Sequence, residues 1–320
     1  MNSQYVFMFI GFLLASYSIV ANDAIQTLGT FLSSNSKRPW WVLWLFACSV
    51  LLAVFFYGWS VNGGDVAYGR LEKFPLPENF SWIYVVPPLV LLFLTNWGIP
   101  VSTTFLILTV FAPGNLTSML TKSLFGYVLA FTTGILVYKF VTKALEKKFL
   151  NTPYKEPPIQ WVALQWVSTA FLWSQWLIQD LANIFAYLPR NLDASMLFFS
   201  MFVMLLLHAV IFYRNGGAIQ HIVTSKTNTQ DIRSATIVDF IYGLILLFFK
   251  EWSKMPMSTT WVFIGLLAGR EVAIAHNLQN REIKDAGKII FSDALKAFVG
   301  LGVSIIIAFG LPVLEQMINK

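Results

Sequence analysis

The chain alternates long apolar runs with short polar connectors, and the length of the runs decides what they form. Uninterrupted apolar stretches predict helices at about 4–34, 40–61, 116–141, 159–189, 194–213 and 289–313. Runs such as Trp40–Val61 and Ile289–Leu311 reach the ~20 residues that cross a bilayer core. Two further stretches, 82–112 and 236–270, are also apolar but are cut in the middle. The first is cut at Trp97-Gly98-Ile99-Pro100 and the second at Lys254-Met255-Pro256. Each half is ~15 residues or fewer, about 22 Å of helix, which is too short for a core of ~30 Å. Each pair of halves is therefore expected to form a re-entrant helical hairpin, with a single broken span as the alternative.

Composition supports a membrane protein. Of 320 residues, 57% are hydrophobic and 12% charged, against roughly 25% charged in a soluble domain. The first basic residue is Lys37, so the first apolar run lacks the positive n-region of a signal peptide and reads as a span. One cysteine, Cys48, excludes a disulfide framework and a cysteine metal site. His208, His221 and His276 are far apart in sequence and share no HExxH-type spacing. No basic patch is interleaved with aromatics, so nucleic acid is not expected as a partner. The lipid bilayer is, and both a monomer and a homo-oligomer stay open.

The net charge of +6 has a pattern that sets topology. Lys37 and Arg38, the segment 142–158, and the segment 214–235 each carry a net +2, whereas 62–80 carries −1. Placing the basic segments inside requires both interrupted stretches to return to their starting side. The expected fold is an all-α membrane protein of two inverted repeats, each with three transmembrane spans and a re-entrant hairpin. Residues 1–141 form the first repeat, 142–158 a cytoplasmic linker and 159–320 the second repeat, with both termini outside. Such repeats place a binding site near the midplane, where they meet.

Residues repeat as well as hydropathy. Half one carries Ala21-Asn22-Asp23-Ala24-Ile25-Gln26 and, after Pro100, Val101-Ser102-Thr103-Thr104. Half two carries Ile178-Gln179-Asp180-Leu181-Ala182-Asn183 and, after Pro256, Met257-Ser258-Thr259-Thr260. The separation from Asp23 to Ser102 is 79 residues, and from Asp180 to Ser258 it is 78. A carboxylate inside a membrane costs at least ~2.5 kcal/mol on insertion scales, so it faces a partner, a cation or water. Asn22, Asp23, Gln26, Gln179, Asp180 and Asn183 make an oxygen-rich set suited to cations, with Asp23 and Asp180 as Na⁺ ligands or proton carriers. Ser102, Thr103, Thr104, Ser258, Thr259 and Thr260 sit where half-helices begin, where unpaired N–H groups and the positive end of the dipole favour an anion. Ordinary capping of a broken helix is the plainer alternative for them. Lys254 adds a positive charge beside the second set or snorkels to an interface. Lys122, Asp239, Asp293 and Lys296 read as structural pairs, and Arg190 as an outer-surface residue.

Through these segments the chain resembles the inorganic phosphate transporter family, the sodium- or proton-coupled permeases that include bacterial phosphate and sulfate permeases. Ala21-Asn22-Asp23 with Gly29-Thr30, and Asp180, Ala182 and Asn183, match one family motif. Pro100-Val101-Ser102-Thr103-Thr104 and Pro256, Ser258-Thr259-Thr260 match the other, and Gly265 and Gly269 fit the glycines that follow it. Phe105 and Trp261 replace the family's histidine, Gln179 and Gln26 replace asparagines, and Lys254 stands where glycine is usual. The resemblance implies a non-enzymatic symporter of inorganic phosphate in the cell membrane, coupled to Na⁺ first and H⁺ second, with no other cofactor. Sulfate or another oxyanion is the alternative substrate. A non-transporting sensor on the same scaffold, or an enzyme acting on phosphorylated lipid, is the alternative class.

Overall fold

The computed structural model describes residues 3–140, 145, 148–149, 151–152, 157–225, 230–278 and 283–318. Most of the expected linker 142–158 lies outside the described residues, as do Lys226 and the side chains of His276 and Asp293.

Every regular element among the described residues is helical. Helix α1 (Ser3–Ile19) runs through a five-residue π-turn, Val20–Ala24, into α2 (Ile25–Ser34). Then come α3 (Trp40–Val61) and α4 (Val86–Asn96). A second π-turn, Thr104–Leu108, leads into the single turn α5 (Thr109–Phe111), and α6 (Leu116–Phe140) follows. The remainder comprises α7 (Ile159–Phe185), α8 (Ala194–Tyr213), α9 (Gln220–Thr224), α10 (Ile232–Trp252), α11 (Thr259–Leu278) and α12 (Ile283–Ile318).

Among the described residues, six segments are long and apolar enough to cross a membrane: Ser3–Ser34, Trp40–Val61, Pro113–Phe140, Ala194–Tyr213, Ile232–Trp252 and Ile290–Ile318. Five of them coincide with expected spans. The other expected span, 159–189, forms α7, but Gln160, Gln165, Gln175, Gln179, Asp180 and Asn183 lower its hydropathy. All of these except Gln160 are buried, so they face protein.

The two interrupted stretches differ from each other. The first is built of short pieces, as its pattern suggests. In the second, α10 and α11 hold 21 and 20 residues, each about 30 Å long, against the ~15 or fewer expected from hydropathy. Polar capping extends them. Asp231 accepts from the backbone N–H of Arg233 at 2.8 Å, which starts α10 ahead of its apolar run. Helix α11 continues through Arg270 and Glu271, both buried.

Two parallel helix pairs organise the interior. In the first, α6 and α11 touch backbone to backbone: Gly265 lies on the Tyr127 carbonyl, Gly269 on the Phe131 carbonyl, and Gly134 on Leu266 and Arg270. Missing side chains permit that approach, the usual device of close helix packing in membranes. In the second, Gly243 of α10 packs on Phe171 and Leu172 of α7, and Gln179 donates to the Leu246 carbonyl at 2.8 Å. Asp239 joins this seam by accepting from the hydroxyls of Thr30 and Thr169. Its partners are hydroxyls rather than the cation that an ion pair would need. Buried Lys122 donates to the carbonyls of Ser253 and Met255 at 2.8 and 2.7 Å, fixing the break between α10 and α11 against α6.

A side chain at Gly269 would collide with the Phe131 carbonyl, so Gly269→Val is expected to destabilise the protein by about 1–3 kcal/mol. Gly302, whose Cβ direction is open, is the control. Thermal unfolding in detergent reads the difference, and equal melting of Gly269→Val and Gly302→Val would contradict the seam.

Candidate ion-binding site

The two breaks converge on the two aspartates. Of the thirteen site residues expected from sequence, twelve are buried in the interior, none more than 3% exposed. Asp23 lies in the π-turn between α1 and α2. Its Oδ2 accepts from the Thr103 hydroxyl. Its Oδ1 accepts from the Thr260 hydroxyl at 3.1 Å, the Asn22 amide at 2.9 Å and the Gln26 amide at 3.5 Å. Donors to one carboxylate therefore come from the first break, the second break and its own helix. Asn22 also donates to the Val101 carbonyl at 2.8 Å, which fixes the first break directly.

Asp180 sits near the C-terminal end of α7, close enough to Asp23 for their charges to interact. Its Oδ1 accepts from the Asn183 amide at 2.9 Å. The same amide lies 3.1 Å from the Thr103 hydroxyl and 3.3 Å from that of Thr104. The Thr104 hydroxyl donates across to the Met257 carbonyl of the other break at 3.0 Å. From the second break, Thr259 lies beside Asp180.

The serines do something different. Ser102 accepts from the backbone N–H of Phe105 at 3.3 Å, and Ser258 from that of Trp261 at 3.2 Å. Both are capping contacts three residues ahead. The Ser258 N–H in turn donates to the Ser123 hydroxyl of α6 at 2.8 Å. Phe105 and Trp261, equivalent positions in the two motifs, meet edge to face with ring centroids 5.5 Å apart.

Lys254 does not join this cluster. Its side chain is 65% exposed and pairs with Glu72 at 2.9 Å. Lys122 holds the carbonyls on either side of it inward, which turns the intervening side chain away. Arg190, expected at the outer surface, is half-buried in the loop after α7 and donates to the carbonyls of Phe185, Ala186 and Leu188 around the end of that helix. Sequence reasoning left out Ser123, which gives no sign of its role before the break is seen to pack against α6.

The donor set fits a hard cation better than a closed hydrogen-bond network. Gln26 Oε1, Gln179 Oε1, Asp180 Oδ2 and Asn183 Oδ1 are buried oxygens with no hydrogen-bond partner among the described residues. Carboxylate and amide oxygens without donors are the ligands that alkali and alkaline-earth ions take.

Buried carboxylates under two converging breaks, inside helices of bilayer-spanning length, define an integral membrane protein. Among solved structures, the fold is similar to one described as "The sodium-dependent phosphate transporter". The TM-score is 0.62 at 15% identity, and the match covers 99% of this chain and 100% of that one. The chain thus shares the fold of that structure. No protein-family profile matches it, and neither does any curated protein sequence.

Thr103→Val or Thr260→Val would leave a buried carboxylate oxygen short of a donor, a loss of about 1–3 kcal/mol. Each should lower the melting temperature in detergent without added ions, and Thr103→Ser should recover most of the loss. Wild-type melting of both valine variants would show that the hydroxyls do not serve Asp23.

Proposed function

We propose that this protein is a secondary active transporter in the cell membrane, a cation-coupled symporter of inorganic phosphate. One observation carries the reading. Hydroxyls from two separate helix breaks, Thr103 and Thr260, meet on a single buried carboxylate, Asp23. The neighbour's description, which names phosphate and sodium, supports the same substrate and coupling ion.

The geometry suggests how the two ions depend on each other. A hydroxyl carries one proton and two lone pairs. While Asp23 has no cation, it occupies the protons of Thr103 and Thr260. Sodium held by Asp23 and Asp180, with Asn22, Gln26, Gln179 and Asn183 supplying further oxygens, takes over the carboxylate charge. The hydroxyls of Thr103, Thr104, Thr259 and Thr260 then turn their protons to an oxyanion, and the helix starts at the two breaks add N–H groups. Ser102 and Ser258 hold those starts in shape. Each ion offsets the charge that the other brings into a low-dielectric interior. Residues 1–141 and 159–320 act as inverted repeats with re-entrant breaks, and rocking of one against the other alternates access.

Purified protein in liposomes should accumulate labelled phosphate when an inward Na⁺ gradient is imposed. Asp23→Asn and Asp180→Asn should each reduce uptake at least about tenfold, since a neutral amide gives up the charge that the cation needs. Uptake driven by a pH gradient alone would reassign the coupling ion to H⁺. Stronger inhibition by sulfate than by unlabelled phosphate would reassign the substrate. No accumulation under either gradient would refute transport.

A further inference from the structure

The connector 62–80 is pinned at several points around the site. Asp65 accepts from the backbone N–H groups of Ala67 and Gly69 at 2.7 and 2.6 Å. Tyr68 donates to the Val54 carbonyl at 2.7 Å, Asn115 to that of Lys73 at 2.7 Å, and Arg190 to that of Phe74 at 2.6 Å. Glu72 pairs with Lys254. Between these anchors the backbone is left-handed at Tyr68 and Gly69, with φ of 57° and 73°. That conformation is uncommon for a residue with a bulky side chain. The turn sends the next residue, Arg70, into the protein, where it is 3% exposed.

The Arg70 guanidinium has unused donors. Its Nε and Nη1 are buried and without a hydrogen-bond partner among the described residues. Asp180 and Glu251 attract it electrostatically, but neither takes up its Nε or Nη1, and Glu251 is exposed and paired with Lys250. Burial lowers the Arg70 pKa to about 10, so it is a cation at neutral pH. Lys122, near enough to feel its charge, uses its ammonium on Ser253 and Met255. A buried cation with idle donors is costly, and no hydrogen bond among the described residues takes up its Nε and Nη1.

We propose that Arg70, with Lys122 behind it, forms an anion subsite on the Asp180 side of the candidate site and takes a tetrahedral oxyanion through the idle N–H groups of its guanidinium. A guanidinium holds its N–H donors in a fixed planar fork, which matches the oxygens of such an anion. The inference rests on the transport reading and adds to it the residue that selects an oxyanion, a role the sequence had offered to Lys254.

The test is binding of inorganic phosphate to the purified protein in phospholipid-free detergent with Na⁺, measured by calorimetry. Arg70→Gln should raise Kd at least about tenfold, with Arg70→Lys in between because it keeps the charge and loses the fork. Lys254→Gln should bind as wild type. Without phosphate, Arg70→Met should melt no lower than wild type, since the Nε and Nη1 donors it removes hold no described partner.

Wild-type Kd in both Arg70→Gln and Arg70→Lys overturns the subsite and leaves the transport reading standing. If Arg70→Gln does not fold, Arg70→Lys decides by the same criterion. Lower melting of Arg70→Met together with wild-type Kd in Arg70→Lys marks a structural arginine and also overturns the proposal. A wild-type protein that binds neither phosphate nor sulfate overturns both readings. Phosphatidylglycerol displacing phosphate from the same micelles would assign the subsite to a lipid headgroup and overturn its assignment to a free anion.

Discussion

A carboxylate cut off from water must be given donors by the protein, and Asp23 receives them from parts of the chain far apart in sequence. That requirement ties the interior together. Thr103 and Thr260 reach the carboxylate only if both helix breaks are held at its depth, and each break has its own fastening. Asn22 holds the first through Val101. Lys122 and Ser123 hold the second through Ser253, Met255 and Ser258. The π-turn at Val20–Ala24 puts Asn22 and Asp23 where the helix is widened by one residue, a distortion frequent at functional sites.

The second break is covered by a connector rather than by a helix. Segment 62–80 is fastened to α3, to the start of α6, to the residues following α7 and to Lys254. Its positive-φ turn buries an arginine beside Asp180 while leaving Glu72 at the surface. Two basic residues close to the same break thus have opposite environments: Lys254 is solvated and paired, and Arg70 is buried with idle donors. Which of them can serve an anion depends on backbone conformation more than on residue type.

Much of this was legible in the chain itself. Apolar runs of bilayer length are a strong signal, and five of the expected spans recur as apolar helices of spanning length. The cluster of Asn22, Asp23, Gln26, Asp180 and Asn183 with the threonines was legible because motifs recurring in the same order at near-equal spacing leave few accidental explanations. Three things were not legible. The lengths of α10 and α11 depend on Asp231 and on the burial of Arg270 and Glu271, which a hydropathy window does not weigh. The division of labour between serines that cap and threonines that donate to carboxylates is a choice of side-chain direction, to which spacing is blind. The burial of Arg70 follows the left-handed turn at Tyr68 and Gly69, an irregular feature with no periodicity to announce it.

The glycine seam between α6 and α11 has a bearing on how the molecule divides. Helix α6 closes the first half of the sequence and α11 lies deep in the second, yet their main chains touch at Gly134, Gly265 and Gly269. Cutting the polypeptide at the connector between the halves would therefore not separate two finished bodies. Each fragment would expose a bare glycine groove shaped to the other, and neither would have a complete interior until the two had reassociated.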